Sequence, residues 1–254
     1  MRSFRIVPTT TLVLVLAGCG GGTGEPRPTP PPRSPSAASP SSAGYRPVID
    51  PKAFTDQVTN PYFPLPLGTT WAYDGTNDDG TPQHVDVTVT RQNRTVMGVR
   101  CVVVLDVVTS DGALVEKTTD WYAQDRTGNV WYFGEDSKDY GNGVVTSTAG
   151  SWEAGVAGAQ PGIIMPGTPR AGQEYRQEYR PGVAEDQAKV LRRDATIRVP
   201  FGTFRDVLLT LDTNPLEPGA AEHKWYAAGV GMLAADHLGS ANQEVIKLSR
   251  TTRR

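Results

Sequence analysis

Val85, Val87 and Val89 alternate with His84, Asp86, Thr88 and Thr90. A two-residue period places the valines on one face of an extended strand and the polar residues on the other. This pattern recurs through most of the chain and constrains the fold more than any other feature. Apolar residues spaced by two are gathered onto a common surface by strands and scattered around a helix. Val96 to Val108 is more continuously apolar, as in a central strand or pair of strands. Ser110-Asp111-Gly112 marks a hairpin turn, and Leu114 to Gln124 follows it. Asp125 to Asn129 turns the chain again into Val130-Trp131-Tyr132-Phe133, and Gly141-Asn142-Gly143 marks another reversal.

After a Gly- and Pro-rich passage from Gly150 to Gly172 the alternation resumes at Glu174 to Arg180. It continues through Val190 to Val199, Phe204 to Leu211, Glu222 to Ala227, Met232 to Asp236 and Glu244 to Leu248. No stretch of ten residues keeps a clean 3.6 period, although Pro51 to Val58 fits one short helix and Glu185 to Leu191 is ambiguous. The expectation is an all-β domain over residues 49–254. It is a single curved antiparallel sheet or half-open barrel of roughly ten strands, with one or two short helices; a β-sandwich is the alternative.

Ahead of this domain stands a segment of different character. Met1 to Arg5 carries two positive charges, and an apolar run densest from Leu12 to Ala17 follows. That order marks a secretory signal, and the run is far shorter than the roughly 20 residues of a membrane-spanning helix. Leu16-Ala17-Gly18-Cys19 resembles the lipobox of bacterial lipoproteins at all four positions. The resemblance implies a signal peptide over 1–18, cleavage before Cys19, and lipid on that thiol. The protein is then held outside the cytoplasm on a bacterial membrane. Residues 19–48 are rich in Gly, Pro and Ser, with too little apolar surface to offset ordering entropy. A spacer is the expected role, its Pro-rich part reaching on the order of 3 Å per residue.

Charge and cysteine count narrow the classes further. The full chain has a formal charge of -2, and the part beyond the spacer is more acidic, because Arg2, Arg5, Arg27, Arg33 and Arg46 all precede it. An acidic domain without a basic run is a poor partner for nucleic acid. Of the two cysteines, Cys19 is taken by lipid, which leaves Cys101 in Val99 to Leu105 without a partner. A buried, unreactive thiol is expected there, and the fold must stand on its core without disulfides. A monomer is the expected state.

Two further segments carry a second resemblance. Val199-Pro200-Phe201-Gly202-Thr203-Phe204 precedes Lys224-Trp225-Tyr226-Ala227-Ala228-Gly229-Val230-Gly231 by about twenty residues. The pair is similar to a pattern in secreted bacterial proteins, some of which resemble the lipoprotein-carrier fold. That resemblance implies a curved antiparallel sheet cupping an apolar ligand, and it brings no catalytic residue. On physical grounds Gly229 and Gly231 let a strand bend or another backbone approach, and Phe204 packs the turn opened by Pro200 and Gly202.

The chain holds no Gly-x-Ser-x-Gly elbow, no His-Glu-x-x-His and no phosphate-binding loop. The sharpest candidate for chemistry is an acidic set: Glu174, Glu178, Glu185, Asp186 and Glu222, with His223. Were these to converge, carboxylates with an imidazole would suit a divalent metal. Against this, Glu174, Arg176, Glu178 and Arg180 share a face by alternation, as do Glu222 and Lys224. That is the pattern of a solvated, cross-paired strand surface. A second candidate is aromatic: Trp121, Tyr122, Trp131 and Tyr132 fall on adjacent strands, where an outward row would stack on glycan or line an apolar groove. No cofactor is required by any motif. The leading functional reading is a membrane-anchored, non-enzymatic binding or carrier domain for an apolar or cell-envelope ligand. The alternatives are a metal-dependent hydrolase built on the acidic set with His223, and a structural or protein-interaction module.

Overall fold

The computed structural model describes residues 44–77, 79–238 and 244–254. The lipobox residues Leu16, Ala17, Gly18 and Cys19 lie outside them, as does nearly all of the spacer. Residues 46–254 form one compact unit.

The strands follow one another almost without interruption. In chain order they are β1 (Phe54–Thr55), β2 (Thr69–Thr76), β3 (Pro82–Val96), β4 (Val99–Ser110), β5 (Ala113–Asp125) and β6 (Val130–Gly141). Then come β7 (Val144–Ser147), β8 (Trp152–Glu153), β9 (Gln160–Met165), β10 (Glu174–Arg176) and β11 (Glu178–Tyr179). The last five are β12 (Gln187–Val199), β13 (Gly202–Thr213), β14 (Ala221–Ala227), β15 (Gly231–Leu238) and β16 (Val245–Arg253). All belong to one antiparallel sheet in the order β10-β12-β13-β14-β15-β16-β2-β3-β4-β5-β6-β9-β11, with β1, β7 and β8 paired at its side. The all-β, nearly closed barrel agrees with the periodicity.

Two details differ from the sequence expectation. Among the described residues there are sixteen strands and not about ten, because short pieces such as β8 and β11 are too brief to show a period. The helix expected over Pro51 to Val58 is a single 3-10 turn, Pro51–Ala53, capped by the Asp50 carboxylate accepting from the Lys52 amide at 3.1 Å. The ambiguous stretch from Glu185 to Leu191 runs into β12.

Closure is achieved by the chain itself. β10 lies at one end of the sheet order and β11 at the other, with Gln177 alone between them. One residue therefore steps across the seam. Its amide donates to the Asp186 carbonyl at 2.8 Å, and its side-chain Nε2 donates to Asp212 Oδ2 at 3.0 Å. A barrel sealed this way exposes little unpaired strand edge to template aggregation.

The hairpins are tight for a stated reason. The two-residue turn at Asp111-Gly112 has φ of 48° and 77°, the left-handed pair that matches the twist of its flanking strands. Met97-Gly98 makes the same turn with φ of 49° and 79°, dividing β3 from β4 inside what reads as a nearly continuous apolar run.

The inner face carries the apolar period: Val85, Val87 and Val89 of β3 are buried, as are Val102 and Val104 of β4, Leu208 of β13 and Leu248 of β16. Each such side chain contributes about 1.5–3 kcal/mol on burial. Cys101 is buried and unpaired, and burial pushes its thiol up to about 12.

A capped cavity and two buried acidic groups

One end of the inner face is covered by residues 60–66. Asn60 pins this loop: its Nδ2 donates to the carbonyls of Gly128 (2.8 Å) and Pro166 (3.0 Å), and its Oδ1 accepts from the Tyr62 amide at 2.9 Å. Gly229, in a left-handed conformation, brings its amide to the Pro61 carbonyl at 2.7 Å. Gly231 stands at the start of β15, where an added Cβ would lie 3.6 Å from Pro64. What calls for glycine at both positions is the left-handed backbone, with φ of 79° and 98°, and not a lack of space. Trp71 of β2 donates its Nε1 to the Val230 carbonyl at 2.8 Å, and the Tyr73 hydroxyl donates to the Met232 carbonyl at 3.1 Å. Pro200 opens the β12–β13 turn, where Phe201 stacks on Phe204 at 6.2 Å and its amide donates to the Leu248 carbonyl. Gly202 begins β13 with ordinary packing space beside Phe204.

Beneath the loop lies a cavity of about 30 Å³, bounded by β2–β5, the start of β15 and residues 63–65. On the same measure one water needs roughly 10–15 Å³, so the space admits two or three waters or one small group. An acyl chain exceeds it. Pro64, Leu65, Val87, Val104 and Met232 supply the apolar part of the wall, and Asp106 and Asp120 the polar part.

Those two aspartates belong to a buried acidic group on β4–β6. Asp106 pairs in register with Thr118, and Asp120 with Val104 and Glu135, so three carboxyls gather on the inner face. The Tyr132 hydroxyl lies 2.6 Å from Asp120 Oδ1 and 3.1 Å from Glu135 Oε2. The one hydroxyl thus bridges two carboxyl groups. Burial holds the Asp106 carboxyl well above its usual range, with Asp120, Glu116 and Glu135 adding like-charge repulsion. Burial likewise raises the Tyr73, Tyr122 and Tyr132 hydroxyls.

A second group occupies β13–β15, where Asp212, Glu222 and Lys224 are 1–2% exposed. Lys224 Nζ lies 3.0 Å from Asp212 Oδ2 and 3.0 Å from Glu222 Oε2. Asp212 Oδ1 also accepts from the Thr210 hydroxyl at 2.7 Å. Burial would lower the Lys224 ammonium, but Asp212 and Glu222 overcome it and hold it well above its usual value. Burial pushes the Glu222 carboxyl up to about 7, although Lys224 pulls it down. His237 Nε2 is 3.6 Å from Glu222 Oε1 and 3.7 Å from Glu244 Oε2.

The acidic set read from the sequence is dispersed by this architecture. Glu174 is exposed and paired with Lys189 at 2.8 Å. Glu178 is buried and accepts from Trp152 Nε1 at 2.9 Å. Glu185 faces Arg176 at 3.9 Å, and Asp186 is buried beside the seam. His223 points away from Glu222, toward Asp236 at 3.4 Å and the edge of Trp225 at 5.6 Å. Among the described residues no three His, Cys, Asp or Glu side chains are placed to hold a metal ion. The shared faces also differ from the solvated surface expected. Gln177 breaks the alternation between β10 and β11, and Glu222 and Lys224 face the interior as a compensated pair.

The aromatic candidates divide by strand face. Tyr122 and Tyr132 stack at 4.8 Å on the inner side. Trp121 lies on the other face under the Arg94 guanidinium at 4.1 Å, and Trp131 meets the edge of Phe54 at 6.0 Å while donating Nε1 to Asp125 Oδ2. Missed by sequence reasoning were Asp106 and Asp120. Asp106 carried a signal, a single acid within the apolar run of β4, whereas Asp120 stands among the charged and polar residues of β5.

The fold and its site define an antiparallel β-barrel with a loop-capped internal cavity. No protein-family model and no curated protein matches the chain. Two solved structures are similar to it. One is a Bacteroides fragilis protein described as exported and as having a YmcC-like fold, at 14% identity and a TM-score of 0.45, over 76% of this chain and 99% of that one. The other is a Parabacteroides distasonis protein described as a lipoprotein, at 14% identity and a TM-score of 0.39, over 75% and 98%.

Proposed function

We propose that this protein is a non-enzymatic, extracytoplasmic binding protein, held to a membrane by lipid on Cys19, whose ligand site is the cavity under residues 60–66. The observation that carries the reading is that cavity. It has a mainly apolar wall and one polar end, and it lies on the barrel's inner face beneath a pinned loop. Binding sites of this kind combine apolar area with a few fixed polar groups. The anchor rests on Leu16-Ala17-Gly18-Cys19 and on the Gly-, Pro- and Ser-rich spacer after it. The cavity's size favours a small ligand, or the end group of a larger one, over a whole acyl chain.

Two measurements test the two parts. Mass spectrometry of the membrane fraction should find lipid on Cys19, and Cys19→Ser should release the protein; a membrane-bound Cys19→Ser variant would sink the anchor. Xenon, an apolar probe small enough for the space and followed by its NMR shift, should bind the full chain of the parent. It should do so markedly less when Met232→Trp fills the wall. Equal binding in both would sink the cavity as the site.

A further inference from the structure

The polar end of the cavity is more specific than its volume. Four aromatic side chains line it: Phe63 from the loop, Trp71 and Tyr73 from β2, and Tyr122 from β5. The hydrogen-bonding atoms of Trp71 and Tyr73 are already committed to backbone carbonyls, which leaves their rings as contact surface. Phe63 and Tyr122 meet edge to face at 5.3 Å, so two rings from different segments form one corner. Against these rings stand Asp106 and Asp120, and the lining includes no basic side chain. Asp106 Oδ1 is buried without a hydrogen-bond partner, while the residue as a whole keeps partial exposure. No donor among the described residues satisfies that oxygen. A buried carboxyl left in this state is costly unless something supplies a donor or a positive charge.

Aromatic rings around a small space with carboxyls at one side are complementary to a substituted ammonium ion. Ring faces attract the diffuse positive charge, and the acids neutralise it where water is scarce. An anion would meet two carboxyls and no cation. A neutral apolar ligand would leave Asp106 Oδ1 unsatisfied. We propose that the cavity binds a substituted ammonium group, either a small free cation or the cationic end of a lipid headgroup, caged by Phe63, Trp71, Tyr73 and Tyr122 and neutralised by Asp106 and Asp120. This deepens the binding reading above and rests on it.

The experiment compares probes of one shape and different charge. The full chain in maltoside micelles is titrated calorimetrically with tetramethylammonium, with choline, and with 3,3-dimethylbutan-1-ol, the uncharged analogue of choline. Both cations should bind at least about ten-fold more tightly than the alcohol. Asp106→Asn should remove that preference, weakening the cations far more than the alcohol. Phe63→Leu, on the loop and away from the buried acids, should weaken the cations by about three- to ten-fold and the alcohol by less. It supplies the test if Asp106→Asn fails to fold by circular dichroism. Competition by short-chain phosphatidylcholine, but not phosphatidylglycerol, would assign the lipid headgroup; choline binding unaffected by either would assign the free cation. Equal binding of choline and the alcohol would overturn the cation assignment and leave the binding site standing. No binding of these probes or of xenon would overturn both.

Discussion

Replacing Lys224 by Met removes the ammonium that bridges two buried carboxyls and keeps most of the side-chain volume. Asp212 retains the Thr210 hydroxyl at 2.7 Å and the Gln177 amide at 3.0 Å as donors. Glu222 retains no comparable compensation for the ammonium it loses at 3.0 Å. Breaking a buried ion pair from one side costs about 3–5 kcal/mol, because a charge is left without its counterion. For a domain of this size that corresponds to a fall in Tm of about 6–20 °C. The loss should depend on pH, and the sign follows from Glu222. Its carboxyl is held at about 7 in the fold against an ordinary 4.5, so the folded state binds a proton that the unfolded chain has released. Its contribution is thus largest below 4.5, and about 3 kcal/mol is withdrawn as pH rises from 4.5 to 7. Without Lys224 the carboxyl titrates higher still. The gap between parent and Lys224→Met should therefore widen from pH 5 to pH 8. Urea unfolding followed by tryptophan fluorescence, with an unchanged denaturant slope, measures it. A gap below about 1 kcal/mol at pH 8, or one constant across that range, would refute the assignment of the pair as buried and charged. Adding Glu222→Gln to Lys224→Met should recover at least about 1 kcal/mol at pH 8.

Gly134 has φ of 134°, and an added Cβ would fall 2.3 Å from the Trp152 carbonyl oxygen, so Gly134→Ala should destabilise the barrel by about 2–4 kcal/mol in the same assay. A loss under 1 kcal/mol would show that β6 and β8 separate freely. Cys101, buried and with its thiol pushed up to about 12, should resist iodoacetamide at pH 8 until urea unfolds the chain; rapid labelling of the folded protein would contradict that burial.

The strand phase of this protein was legible wherever apolar residues alternated for six or more positions, as in Val85 to Thr90 and Phe204 to Leu211. The hairpin turns were legible where Asp-Gly or Asn-Gly stood at their tips. Met97-Gly98 escaped because Met carries no preference for the left-handed conformation it adopts there. β8 and β11, of two residues each, are held by neighbours and not by any pattern of their own. The candidate site was legible only in part. Gly229 and Gly231 were read as places where a strand bends or another backbone approaches, and both have a left-handed backbone beside residues 61–64.

Local sequence, then, determines that the chain folds as strands, because side-chain period and turn chemistry act over a few residues. It also carries the Leu16-to-Cys19 motif, whose resemblance is complete within four positions. Which face of each strand turns inward is a different matter. A single strand with Glu222 and Lys224 on one side and Trp225 on the other is compatible with either choice. The choice was made by closure. β13–β14 pairing sets Asp212 opposite Glu222 and beside Lys224, and the closed barrel turns that face inward, so a surface-like pattern is buried as a compensated cluster. The cavity has the same origin. Asp106 and Asp120 meet four aromatic rings from three segments distant in the chain, and only the curvature of the barrel brings them together.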